Sequence, residues 1–311
     1  MNSSLFRIFF AGASLATGMT AAEPAIIAKA REYLGTEAAL DAVKSVHMIG
    51  KMEGGLVGAT TPPNVEQVDI VFQKPFQESL KIVTKEQLAR KVLDDYNGWQ
   101  LVQILTPGAP AEFDPTVPQR LTILGLDQIR ILRADTWENL EYYRGLEQAG
   151  GTTEDLGPAT IDGVACEKVA LRHSDAIVYY RYFDLATGRL VYTETYAGAK
   201  IREQGEIMAD GVRFPKTITV DEPAGGKPSR TVITIDSVKL NEVFPENFFA
   251  TPAPPLPRHP PVATEGAVSA PAPSAATLAA PSAAAAAGSA APAPSASSPS
   301  AAAPASTEPK P

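Results

Sequence analysis

Residues 67–82 read Gln67-Val68-Asp69-Ile70-Val71-Phe72-Gln73-Lys74-Pro75-Phe76-Gln77-Glu78-Ser79-Leu80-Lys81-Ile82, and their period decides the fold class. Val68, Ile70 and Phe72 alternate with Gln67, Asp69 and Gln73; beyond Lys74-Pro75, Phe76, Leu80 and Ile82 alternate with Gln77, Ser79 and Lys81. Successive side chains of a strand point to opposite faces, so this spacing predicts two strands with one apolar and one polar face. The same period returns near the other end of the chain, where Ile233 and Ile235 alternate with Thr234 and Asp236.

Working outward, the breaks between such runs are turn signals: Lys74-Pro75, Asn97-Gly98, Asp162-Gly163, Thr187-Gly188, Asp210-Gly211 and Gly225-Gly226. Asn-Gly and Asp-Gly accept the positive φ of tight hairpins, so each predicts adjacent antiparallel strands, and several in series predict a meander of ten or eleven. Two stretches depart from period two. Ile26, Ile27, Ala30, Tyr33 and Leu34 repeat near 3.6 behind Pro24, with Gly35 as a stop and a second short helix expected over residues 37–43. Over residues 119–143, Leu121, Leu124, Ile129, Leu132, Trp137 and Leu140 fit helical spacing, which predicts a helical insertion packed on the concave face of the sheet.

The ends differ in kind. Met1 to Ala22 carries one charge (Arg7), an apolar run through Ile8, Phe9 and Phe10, and small residues before Glu23, the three parts of a secretory signal. Gly12, Ser14, Thr17 and Gly18 interrupt that run, which falls short of the ~20 apolar residues a membrane span needs. Cleavage is expected after Ala22. Residues 23–250 form one segment without a linker. Residues 251–311 turn abruptly to Ala, Pro and Ser, too poor in apolar side chains to offset the entropy of ordering, so a disordered tail is expected. Extended, it would reach on the order of 180 Å as a tether.

A formal charge of −8, one unit more negative once Arg7 is removed, gives no electrostatic reason to bind nucleic acid or an anionic membrane. The single Cys166 forbids an internal disulfide, does not follow the signal as an acylated cysteine must, and reads as a small buried hydrophobe. His47 and His173 are far apart in the sequence and His259 falls in the tail, so no metal, cofactor or catalytic residue is expected. No Gly-x-Ser-x-Gly elbow occurs. Asp94-Asp95 flanks a turn, Tyr179, Tyr180, Tyr182 and Phe183 read as sheet packing, and Arg172, Arg181 and Arg202 as solvated surface.

Ala38 to Lys51, Gln73-Lys74-Pro75-Phe76, Asp95-Tyr96-Asn97-Gly98-Trp99, Ala209 to Lys216 and Leu240 to Phe249, in that order and spacing, make the chain resemble the LolA-like family of outer-membrane lipoprotein-sorting and carrier proteins. The long tail departs from that pattern. The resemblance implies a mainly β (α+β) fold, a single antiparallel incomplete β-barrel of about eleven strands, LolA/LolB-like, with helices packed in its concave face. It also implies a periplasmic, soluble carrier for acyl chains of lipoproteins or lipids, with inner- and outer-membrane sorting partners. The wall of its apolar cavity is then expected at Val68, Ile70, Phe72, Leu80, Ile82, Trp99 and Leu101, and its cover at Leu121, Leu124, Ile129 and Leu132. The rival expectation is a non-catalytic structural or interaction module of the envelope, with the same residues as plain core and the tail as tether.

Overall fold

A computed structural model of the chain describes residues 23–57, 64–105, 113–114, 117–224 and 227–252. The expected signal peptide, all but two residues of the expected tail, and the Gly225-Gly226 turn lie outside the described residues. The chain divides into Met1–Leu256 and Pro257–Pro311, and every strand and helix belongs to the first unit.

Two helices open the domain. α1 (Ala25–Leu34) buries Ile26, Ile27, Ala30 and Arg31, the stripe its 3.6 spacing predicts. α2 (Glu37–Asp41) starts at Thr36, whose hydroxyl accepts the Ala39 amide at 3.2 Å. Close backbone approaches seat α1. A Cβ on Gly35 would come within 2.7 Å of the Gly211 carbonyl oxygen, and one on Gly188, at φ +78°, within 2.5 Å of the Lys29 carbonyl oxygen.

The strands follow as β1 (Ser45–Leu56), β2 (Asn64–Gln73), β3 (Gln77–Val83), β4 (Gln87–Asp94), β5 (Asn97–Ile104) and β6 (Gln119–Ile123). After α3 (Leu126–Leu140) and a 3-10 turn at Leu146–Ala149 come β7 (Thr152–Ile161), β8 (Val164–Ser174), β9 (Ile177–Asp184), β10 (Leu190–Glu194) and β11 (Lys200–Gln204). A small hairpin, β12 (Ile207–Ala209) with β13 (Val212–Phe214), precedes β14 (Thr217–Ala224) and β15 (Lys227–Leu240). Thirteen strands make one antiparallel sheet in the order β6-β5-β4-β3-β2-β1-β15-β14-β11-β10-β9-β8-β7. Its edges, β6 and β7, do not pair, so the barrel is incomplete, as expected.

The curvature follows from what α3 touches. Thr136 donates to Glu78 on β3 at 3.3 Å, and two residues along the helix Glu138 accepts from Arg181 on β9 at 2.8 Å. β3 and β9 stand seven strand spacings apart. Laid flat, strands so separated lie about 34 Å apart, whereas a helix is only about 10–12 Å across. The sheet therefore rolls around α3, which lies in its concave face, between the two edge strands in sequence.

Three local expectations need correction. The helix begins at Leu126, not near 119: Gln119 to Ile123 form edge strand β6, with Leu121 opposite Leu101. Leu121 and Leu124 fit an i, i+3 pair, but Leu121 and Ile123 also fit period two, and pairing with β5 decides between them. The β4–β5 turn sits at Asp95-Tyr96, with Asp95 at φ 55°, while Asn97 and Gly98 already pair with Asp94 and Leu93. The sheet holds thirteen strands where about eleven are expected, and β10 and β11, at five residues each, carry too few alternations to be read. The turns at Asp162-Gly163 and Asp210-Gly211 fall where expected, with both residues at positive φ.

Candidate functional site

Cross-strand partners share a face, so the registers sort the inward side chains into rows. One row runs through Met48, Ile70, Leu80, Lys91 and Gln100; the next, toward the tips, through Gly50, Val68, Ile82, Ala89 and Val102. On the other side of β1, Met52 faces Ile233, Ile233 faces Ile218, and Ile218 faces Glu203.

Along β1 the inward residues grade from buried to open. Val46 and Met48 are buried, Met52 is half-buried, and Leu56 is 50% exposed. β2 grades the opposite way because it runs antiparallel, from half-buried Glu66 to buried Val68, Ile70 and Phe72. One end of the concave face is thus plugged and the other is open. The plug comprises α2, the end of α3 and the β12–β13 hairpin, which place Leu40, Val43, Leu140, Tyr142, Val212 and Phe214 against Val46, Ile70 and Phe72. The inward apolar residues farther along the strands, Met52, Leu80, Ile82, Val102, Ile218 and Ile233, are half-buried, and Met52, Leu80, Ile82 and Ile233 pack at the margin of the plug.

Ionic contacts fix the plug and α3. Arg31, 3% exposed, binds Glu37 at 2.5 Å and donates to the carbonyl oxygens of Glu141 and Tyr142 at 3.3 and 3.1 Å, which ties α1 to the end of α3. Glu138 takes Arg181 at 2.6 Å and His173 at 2.7 Å. The Tyr179 hydroxyl donates to Asp135. Burial, then repulsion from Asp135, pushes Glu78 up to about 8, and burial also raises Asp135. The register puts Glu78 of this cluster opposite Phe72, at the plugged end.

The eleven residues expected to line a cavity separate into three groups. Val68, Ile70, Phe72, Leu80 and Ile82 do share the concave face and pack in one cluster, the first three buried and Leu80 and Ile82 half-buried at its margin. Leu124, Ile129 and Leu132 cluster with Leu93 and seat the start of α3 on the sheet. Trp99, Leu101 and Leu121 face the other way. They join Val71, Val83, Leu88 and Val92 on the convex face, so no single concave hollow includes them.

That convex patch is covered by the segment after β15. Phe244, Phe248 and Phe249 stack on one another at 4.7 to 6.1 Å, and Trp99 Nε1 donates to the Phe249 carbonyl oxygen at 3.1 Å. Arg90 lies 4.5 Å from the Phe248 ring centroid and donates to its carbonyl oxygen at 2.8 Å. His47 joins the segment to the sheet, with Nδ1 2.6 Å from Glu242 and Nε2 3.1 Å from Asp69. The hydrogen bond with Asp69 raises the imidazole above its ordinary value; burial opposes this and Glu242 adds to it. The sequence reading missed this strap, although the three phenylalanines within six residues were its signal.

Of the arginines expected at the surface, Arg172 pairs with Glu154 and Arg202 with Asp162. Arg181 is 9% exposed, because Glu138 and the Tyr143 ring enclose it. Among the described residues no helix is long and apolar enough to cross a membrane, and no group of three or more His, Cys, Asp or Glu side chains is placed to hold a metal.

No family model and no curated protein matches the sequence. Among solved structures the chain is similar to a LolA superfamily protein from Nitrosomonas europaea, at 12% identity and a TM-score of 0.47 over 73% of this chain and 96% of that one. It is similar to an outer membrane lipoprotein-sorting protein domain from Vibrio parahaemolyticus, at 12% identity and 0.45 over 72% and 95%. A DUF1329 family protein from Desulfovibrio piger gives 12% identity and 0.42 over the same shares. The family that the sequence resembles is the family named among these structures.

Proposed function

We propose that the protein is a non-enzymatic periplasmic carrier or binding protein that shelters acyl chains of lipoproteins or lipids along the open rows of its concave face. The observation that carries this reading is the gradient of exposure: inward apolar positions are sealed by the protein itself at one end and grade to half-buried and exposed toward the other. Acyl chains gain about 0.8 kcal/mol per methylene removed from water, so an uncovered row of aliphatic side chains is the surface such cargo seeks. The wall this assigns is Met52, Leu80, Ile82, Val102, Ile218 and Ile233, with α3 across its closed end. Leu80 and Ile82 are common to this wall and to the expectation from sequence.

A second reading, a non-catalytic interaction module with the tail as tether, is favoured by one observation: Val68, Ile70 and Phe72 already have the protein's own side chains against them. Native mass spectrometry of the full chain purified from the periplasm separates the two. Co-purified lipid is expected. Protein that is consistently lipid-free and also fails to bind a fluorescent fatty acid leaves the second reading standing.

A further inference from the structure

A cavity of about 270 Å³ lies between the end of α1 and the neighbouring ends of β10, β11 and β13, and Glu203 on its wall ends the row that runs through Met52, Ile233 and Ile218. Cavities for drug-sized ligands run from roughly 300 to 1,000 Å³, so this one has room for something compact. Both signs of charge line it: Arg189 and Arg213, Glu203 and Glu206, with the rings of Tyr33 and Tyr143.

The local bonding leaves both signs incompletely used. Glu206 accepts the Tyr33 hydroxyl at 2.6 Å and stands 3.3 Å from Arg213 Nε, while the Arg213 guanidinium lies 4.3 Å from the Tyr33 ring centroid. In that arrangement the buried Arg213 Nε has no hydrogen-bond partner. Glu203 feels Arg181 and Arg189, yet among the described residues its carboxylate and the Arg189 guanidinium make no hydrogen bond or close ion pair. Arg181 is already held by Glu138. Burial raises the Glu203 carboxyl above the usual range, with the two arginines opposing. A buried donor without a partner is costly, so Arg213 Nε, on a cavity wall beside the half-buried Arg189 and Glu203, marks a place that a complementary ligand completes.

We propose that this cavity is a second binding site, for a compact zwitterion whose anionic group completes Arg189 and Arg213 and whose ammonium group completes Glu203. The proposal stands on the cavity's own charges and does not rest on the acyl-chain reading. Free amino acids and the headgroups of zwitterionic lipids share this chemistry, and titration calorimetry on the full chain separates them. The probes are γ-aminobutyric acid and glycerophosphoethanolamine, with inorganic phosphate and ethylamine as the two halves alone. At least one zwitterion is expected to bind about tenfold or more tighter than either half, and the one that does names the source. Glu203→Gln is expected to erase that advantage without changing the response to phosphate, and Arg189→Gln to weaken both. Amide shifts on titration are expected to centre on Leu34 and Gly205, which gives a readout even if one variant does not fold. Absence of zwitterion binding, phosphate binding as tight as the zwitterion, an unchanged Glu203→Gln, or shifts centred elsewhere overturns the assignment.

Discussion

Ile82 and Ile233 stand on the open concave rows, whereas Ile70, 8% exposed, stands one row inside the plug; truncating each to alanine separates a binding surface from a core. The side chains lose three carbons each, about 2.4 kcal/mol of burial at 0.8 kcal/mol per carbon. In the free protein about a third or less of Ile82 and Ile233 remains open, so a bound acyl chain can newly cover only that share, about 0.8 kcal/mol per residue. The Ile82→Ala/Ile233→Ala double variant is therefore expected to bind a fluorescent fatty acid about fifteenfold more weakly, taking the two sites as additive. Ile70→Ala is expected to cost about 2–5 kcal/mol of stability, read by urea unfolding, with affinity changed less than about twofold where the protein is folded. If the double variant binds within twofold of the unaltered protein, the open rows are not the binding surface. If Ile70→Ala alone abolishes binding while remaining folded, the plug opens to admit cargo, and core and site are not separate.

Other perturbations test the supports of that face. Phe249→Ala removes the innermost ring of the convex strap, 4% exposed, and is expected to cost about 3–5 kcal/mol, or roughly 6–20 °C in Tm, with a red shift of Trp99 emission; an unshifted spectrum and Tm would show that the strap is not part of the core. Because His47 is raised in the fold, its contribution is full below the unfolded value of about 6.5 and is lost as pH rises through the folded value, so the Tm gap between the unaltered protein and His47→Gln should narrow from pH 6 to pH 9. Glu78, pushed up to about 8, favours the neutral carboxyl, so wild-type stability should fall between about pH 4.5 and 8 relative to Glu78→Gln; a gap that does not vary with pH refutes its burial. Arg181→Met leaves Glu138 buried with only His173 beside it and is expected to cost about 3–5 kcal/mol, a loss that Arg181→Met/Glu138→Leu should largely recover.

The sheet was legible because period two survives wherever one face is wetter than the other, as at Asp69, Lys81 and Thr234. The site was legible only in part, since alternation reports that a side chain leaves solvent and not what it meets. Val68 and Ile82 are direct cross-strand partners with the same pattern around them, yet one is 1% exposed and the other half-buried. What separates them is how far the plug reaches, which depends on contacts from α2, α3 and the β12–β13 hairpin, all distant in sequence. Apolar character alone puts Trp99 on the inner face, but the register places it opposite Val92 and, through Ser79, on the same side as Val71.

Ile70-Val71-Phe72 carries the remaining step. Three consecutive apolar residues in a strand, all 8% exposed or less, require cover on both faces, the mark of a doubly buried strand rather than the half-wetted one that alternation alone implies. The plug covers Ile70 and Phe72 from inside, and the cluster under Phe244, Phe248 and Phe249 holds Val71 on the outside. With a dedicated cover on each face of the same strand, the half-buried apolar positions at Met52, Ile82 and Ile233 mark where the inner cover thins. Phe244, Phe248 and Phe249, near the end of the described chain, pack on the convex face. The thinning of the inner cover is what the Ile82→Ala/Ile233→Ala variant tests: a binding surface loses affinity there, whereas a core margin loses only stability.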